Sequence, residues 1–170
     1  CSLREILEEV RDFLLPQAAE KDIAFTLDCS QVRHDAVRGD REKLGQLVMY
    51  LANNAVTYTP AGGSVSITAM EAEELLHSFA VYKIEVRDTG VGISEPFLKQ
   101  IFEPFTRERN TTLSGVHGVG LGLTIAKNIT ELLGGAIEVQ SAVDKGSAFT
   151  VTLRLRFRPQ GTPEPGAAAP

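Results

Sequence analysis

Cysteine is scarce in this chain. Only Cys1 and Cys29 occur among its 170 residues, and neither sits in a CxxC pair or beside histidines at ligand spacing. That excludes a disulfide framework and a structural zinc site, and fits a reduced, cytoplasmic compartment. Long apolar runs are missing as well: none approaches the roughly 18 residues of a spanning helix, and the N-terminus lacks the basic-then-apolar order of a signal peptide. A basic excess is absent too. With 17 Lys+Arg against 22 Asp+Glu the net charge is -5, which argues against a nucleic-acid binder that works through a basic face. Any anionic ligand must be held by local groups. The three histidines, His34, His77 and His117, lie in loop-like sequence without the partner spacing of a metal or nucleophilic site.

What is present is balanced: 43% hydrophobic and 23% charged residues, at a length that buries roughly 70% of the unfolded surface around one core. One soluble domain is expected over residues 1–158. Residues 159–170 hold four of the eight prolines and read as a tail or linker.

Leu3, Ile6, Leu7, Val10 and Leu14 recur at helical spacing behind Ser2, whose pairing with Glu5 resembles a capping box, and Pro16 is expected to bend or end this helix. Ile23 to Leu27 alternates as a strand. Leu44, Leu47, Val48, Leu51 and Ala55 set a second helix over 41–58, stopped by Thr59-Pro60 and Gly62-Gly63. Strands follow at 64–69 and 82–87, with 71–78 as their connection. Periodicity fades from 94 to 122 and returns in a third helix through Ile125, Ile129 and Leu133, closed by Gly134-Gly135. Two strands end the domain, near 136–140 and through Phe149, Val151, Leu153, Leu155 and Phe157. The mixture, without regular βα alternation, predicts an α/β two-layer sandwich: one mixed, mostly antiparallel sheet with three helices on one face.

Three clusters carry possible chemistry. In Asp88-Thr89-Gly90-Val91-Gly92-Ile93, strand parity turns the Asp88 carboxylate toward the apolar side, where it needs a partner. That partner is either a ligand amine or the turn's own backbone. Gly118-Val119-Gly120-Leu121-Gly122 runs straight into the third helix, offering free N–H groups and the positive end of a helix dipole to phosphate, or else serving only as a flexible connection. In Asn53-Asn54, Asn54 falls at the margin of the apolar stripe with Tyr50 and Thr57, while Asn53 points away.

Taken in this order, the clusters resemble the ATP-binding catalytic domain of bacterial sensor histidine kinases, most like the hybrid type, within the wider family of gyrase, heat-shock-90 and mismatch-repair ATPases. Leu51 to Pro60 looks like the N box, Asp88 to Ile93 the first glycine box, Phe102-Glu103-Pro104-Phe105 the F box, Gly118 to Leu123 the second glycine box, and Gly146 to Phe149 the short box opening the last strand. The resemblance implies a Bergerat-type fold and a role in two-component signalling. It implies that Asp88 accepts the adenine amino group with Gly90, Gly92, Ile93 and Phe105 nearby. Asn54 would be a ligand of Mg²⁺. Gly118, Val119, Gly120, Leu121 and Gly122 would wrap the phosphates of ATP, 103–117 would be a lid, and Arg107 would approach the γ-phosphate, with Arg109 a weaker candidate. The γ-phosphoryl group would pass to a histidine on a helical hairpin domain that this chain does not contain, and from there to a response regulator receiver domain. A homodimeric full-length protein is implied, with no nucleic acid and no direct membrane contact, including as the cytosolic part of a membrane-bound sensor. Two positions depart from the family pattern. Tyr50 stands where a polar residue, often Asn, is usual, and Thr57 where Lys or Arg is usual; neither replaces the lost amide or cation.

Overall fold

The computed structural model describes residues 1–103 and 122–159. Helix α1 (Leu3–Glu20) starts at Ser2, whose Oγ accepts the Glu5 N–H at 3.1 Å. It buries Leu3, Ile6, Leu7, Val10 and Leu14, each contributing roughly 1.5–3 kcal/mol by leaving water. Of the two outcomes expected of Pro16, it does not end the helix. It sits on the exposed side between buried Leu14 and Ala18, and burial of these neighbours offsets the lost backbone bond. Strand β1 (Ala24–Gln31) and the two-residue β2 (Val37–Arg38) lead to helix α2 (Arg41–Tyr58), capped by Asp40 accepting the Lys43 N–H at 3.1 Å.

Strands β3 (Ser64–Leu75) and β4 (Phe79–Asp88) pair antiparallel through to Leu75↔Phe79. The expected connection over 71–78 therefore shrinks to a 3-10 turn at Leu76–Ser78, and a register shift between Glu71 and Glu73 hides the strand's alternation. A single helical turn, α3 (Glu95–Leu98), follows. The third long helix, α4 (Gly122–Leu132), then leads to β5 (Ala136–Ser141) and β6 (Ser147–Phe157).

The sheet runs β1-β3-β4-β6 with β2 beyond β6, and β5 also pairs β6. The far edge of β6 is thus shared, with β5 alongside 147–152 and β2 alongside 156–157. Among the described strands only β1 and β3 pair in parallel. Helices α1, α2 and α4 cover one face, toward which Val65, Ile67, Tyr82, Ile84, Val86, Phe149, Val151 and Leu153 point. No described helix is long and apolar enough to cross a membrane.

Candidate functional site

One end of the sheet gathers the chemistry. Asp88, the last residue of β4, stands directly across from Ser147, the first of β6, and Ser147 stands across from Ser141, the last of β5. Pleat parity puts all three on the helix-covered side. Asp88 is 6% exposed. Its Oδ1 accepts the Gly90 N–H at 2.8 Å and the Ser147 N–H at 3.2 Å, while no described residue donates to Oδ2. Burial pushes the carboxyl above its usual range, and the two N–H bonds only partly offset that. The backbone thus takes Oδ1, while Oδ2 is left in a poorly solvated position without a donor among the described residues.

The loop after Asp88 is pressed against its neighbours. Val91 N–H donates to the Tyr58 carbonyl at 3.3 Å, and Asp144 N–H to the Val91 carbonyl at 2.8 Å. At Gly92 φ is +71°, and a Cβ there would lie 1.8 Å from the Ala142 carbonyl oxygen, so only glycine fits. Gly146, at φ +80°, would put a Cβ 2.0 Å from the Asp88 carbonyl oxygen. Gly90 likewise faces the Tyr58 carbonyl. These glycines let backbone meet backbone and so hold the Asp88 loop in place. Ile93 is half-buried against the core, and its N–H donates to Ser141 Oγ at 2.8 Å.

Helix α2 forms the wall. Asn53 is exposed and Asn54 half-buried, as the helical angle predicts, and the Asn54 amide has no hydrogen-bond partner among the described residues. Tyr50 lies one turn earlier on the same face, where its Cδ1 comes within 3.6 Å of a Cβ built at Gly122, the first residue of α4. The start of α4 and the Asn54 face are thus neighbours. Thr57 turns its hydroxyl back to the Asn53 carbonyl at 2.8 Å. Beyond α2, Thr124 Oγ1 donates to the Phe102 carbonyl at 2.8 Å, and the Phe102 ring meets Phe149 edge-on at 6.4 Å.

The Asp88 loop thus meets α2 at Tyr58 and the start of α4 meets it at Tyr50, four residues to either side of Asn54. Phe105, Arg107, Arg109, Gly118, Val119, Gly120 and Leu121 lie outside the described residues. Sequence reasoning missed Ser141, Ser147 as a side chain in its own right, and Lys21, whose Nζ donates to the Val56 and Thr57 carbonyls at 2.7 and 3.0 Å and caps α2. Strand pairing would have revealed Ser147 as the neighbour of Asp88; no local signal marks Ser141 or Lys21.

The profile of the family described as "Histidine kinase-, DNA gyrase B-, and HSP90-like ATPase" matches residues 39–157. Autoinducer 2 sensor kinase/phosphatase LuxQ of Vibrio vulnificus is 37% identical over 151 residues, covering 88% of this chain and 17% of its own length. Sensor histidine kinase AruS of Pseudomonas aeruginosa is 35% identical over 170 residues, 99% of this chain and again 17% of its own length. The chain thus spans about a sixth of the curated relatives it matches. Among solved structures, the mycobacterial sensor histidine kinase MprB superposes with a TM-score of 0.72 at 26% identity, covering 93% of this chain and 97% of that one. Full-length ShkA in complex with AMPPNP superposes at 0.73 and 26%, covering 93% of this chain and 31% of that one. With the matched residues spanning the whole site, this chain belongs to the histidine kinase-, gyrase B- and HSP90-like ATPase family and has the fold of sensor histidine kinase catalytic domains.

Proposed function

We propose that this domain binds ATP and donates its γ-phosphoryl group to a histidine on a helical hairpin domain of the longer polypeptide, within a two-component signalling pathway. The observation that carries the reading is the Asp88 carboxylate, buried at the strand end with Oδ1 saturated and Oδ2 free to accept an exocyclic amine. A charge-assisted hydrogen bond of this kind contributes on the order of 1.5–3 kcal/mol. The AMPPNP complex of the structural neighbour ShkA and the family match support it.

The donor set fits Mg²⁺. Asn54 offers an amide oxygen with no partner among the described residues, a hard ligand, on the face shared with the start of α4. When bound, the ion would supply charge neutralisation for the phosphates, the larger part of what phosphoryl transfer asks of a protein. Asp88 orients the base, Asn54 faces the phosphate end, and the start of α4 brings the positive end of a helix dipole to that side. The glycine segment before α4 and Arg107 belong to the same proposal.

Tyr50 and Thr57 favour a second reading, a nucleotide-binding regulatory module with slowed transfer. Thr57 spends its hydroxyl on Asn53, and Tyr50 sits against the start of α4 where an amide is usual. One assay separates the two. The purified hairpin with its acceptor histidine is mixed with the chain and labelled ATP, and acid-labile, base-stable label on the hairpin is expected. No label despite measurable ATP binding removes the kinase reading and leaves the regulatory one. In the same assay Tyr50→Asn is expected to raise the transfer rate; no gain removes Tyr50 as the limiting residue.

A further inference from the structure

Behind Asp88 lies a hydroxyl with every hydrogen-bonding site in use. Ser141 Oγ accepts the Ile93 N–H at 2.8 Å, lies 2.9 Å from the Gly146 carbonyl oxygen and 2.7 Å from Ser147 Oγ. A serine hydroxyl has one proton and two lone pairs. The Gly146 carbonyl can only accept, so donation to it uses Ser141's single proton. One lone pair takes the Ile93 N–H, and the other must take the proton of Ser147.

The opposite order is worse. If Ser141 donated to Ser147 instead, the Gly146 carbonyl would keep only the Ala142 N–H at 3.4 Å, a long contact. The Ser147 proton would then have no described partner on a residue only 8% exposed, and buried polar groups are rarely left so. The first order satisfies Ser141 completely. It leaves Ser147 Oγ with lone pairs alone to present on the side it shares with Asp88.

We infer that Ser141 is a specificity-determining positioning residue: by consuming the Ser147 proton it makes the rim beside Asp88 acceptor-only, which selects a 6-amino purine and rejects a 6-oxo purine. This rests on the nucleotide reading above. An exocyclic amine carries two hydrogens for two acceptors, Asp88 Oδ2 and Ser147 Oγ. A 6-oxo group would set a lone pair against both, and unpaired polar groups in a buried site are the stronger basis of discrimination.

The test is a calorimetric comparison of ATP and ITP binding to the whole chain. Wild type is expected to prefer ATP by at least about tenfold, and S141A, which frees the Ser147 hydroxyl to rotate and donate, to bring the ratio within about threefold. S141T keeps the hydroxyl and is expected to keep the preference. Equal weakening of both nucleotides in S141A means that Ser141 only holds the loops and overturns the inference, as does an unchanged ratio. If S141A fails to fold, S147A decides: ATP weakened with ITP unchanged supports an acceptor at Ser147, and equal effects on both overturn it. A wild-type chain that binds both nucleotides equally refutes the acceptor-only rim while the nucleotide reading stands. One that binds neither removes both.

Discussion

Asp88 and Glu71 lie toward opposite ends of the β3–β4 ladder, both on the helix-covered face and both almost out of solvent, at 6% and 8% exposure. Their surroundings differ completely. Glu71 Oε2 accepts the backbone N–H groups of Arg33 and His34 at 3.0 and 2.8 Å, and Oε1 meets His34 Nδ1 at 2.8 Å and the Arg33 guanidinium at 3.5 Å. Burial pushes this carboxyl up, yet the bonds from His34 and Arg33 outweigh it and hold it below the usual range. Among the described residues Asp88 has only two donors, both on one oxygen, and burial wins. The contrast teaches how to tell a structural carboxylate from a candidate for binding. Glu71 has spent its acceptors on the fold, whereas Asp88 keeps one unspent. His34, Glu71 and Glu74 bring one ligand atom each within 4.8 Å of one another, but a metal there would have to displace the bonds that His34 and Glu71 already make.

The largest effect is expected at the saturated end. Glu71→Ala strands the Arg33 and His34 N–H groups in a buried place and should destabilise the domain by about 2–4 kcal/mol in urea unfolding, while ATP affinity of the folded fraction stays unchanged. A change in affinity would break the division between the two ends. Asp88→Asn should do the reverse. ATP binding by calorimetry should weaken about 10- to 150-fold, the worth of one charge-assisted hydrogen bond, while the empty domain loses no stability because an ionised buried carboxylate has been removed. A destabilised D88N domain would mean that Asp88, like Glu71, belongs to the scaffold.

Much of this contrast could be read from residue patterns, and the part that could not has a physical reason. The inward parity of Asp88 follows from Tyr82, Ile84 and Val86, and the mid-helix placement of Asn54 from the stripe of Leu47, Leu51 and Ala55. The helix over 41–58 and the two-layer architecture follow from the same periodicities. Glu71 was hidden because the register shift after it breaks the alternation and made 71–78 look like a loop. Strand β2, two residues long, has no period to detect. That Pro16 does not end α1 reflects burial of Leu14 and Ala18, which overrides a local preference. In the Ser141–Ser147–Asp88 row, Ser141 faces Ser147 across the β5–β6 hairpin, but Ser147 meets Asp88 from 59 residues away in the chain, and no local pattern encodes that second pairing. The glycine segment before α4 was legible as a motif, and the structure does not describe it.

Acidity should pull the two ends apart. The Glu71 carboxyl is depressed in the fold, so its contribution is complete above the unfolded carboxylate pKa of about 4.3 and is lost as pH falls through its lower folded value. Asp88 is raised, so its contribution has the opposite sign: it favours the fold when protonated and fades as pH rises through its folded value. Urea midpoints measured from about pH 3 to about pH 7 should therefore fall more gently toward acid in Glu71→Gln than in wild type. The advantage of Asp88→Asn should grow toward neutrality. ATP affinity should decline as pH is lowered through the raised Asp88 value, because the added proton then occupies Oδ2, the oxygen left to accept from the amine. A pH-independent affinity would leave the base to some other acceptor.

The smallest expected effect probes how far the bonds around Glu71 extend. Tyr82 is fully buried, and its hydroxyl donates to the His34 carbonyl at 2.7 Å. Burial and the neighbouring Glu71 carboxylate push its pKa well up, which keeps it a neutral donor. Tyr82→Phe keeps the ring in its place in the core and removes one hydrogen bond, so a loss of about 1 kcal/mol is expected in urea unfolding. The two N–H bonds to Glu71 Oε2 survive that change, and the His34 ring remains stacked on Phe157 at 3.8 Å. ATP affinity should move by less than about twofold, since no atom of the Asp88 row touches Tyr82 and sites without shared partners add independently. An affinity loss comparable to that of Asp88→Asn would show that β4 transmits strain from one end to the other, and that the two carboxylates are ends of one coupled device.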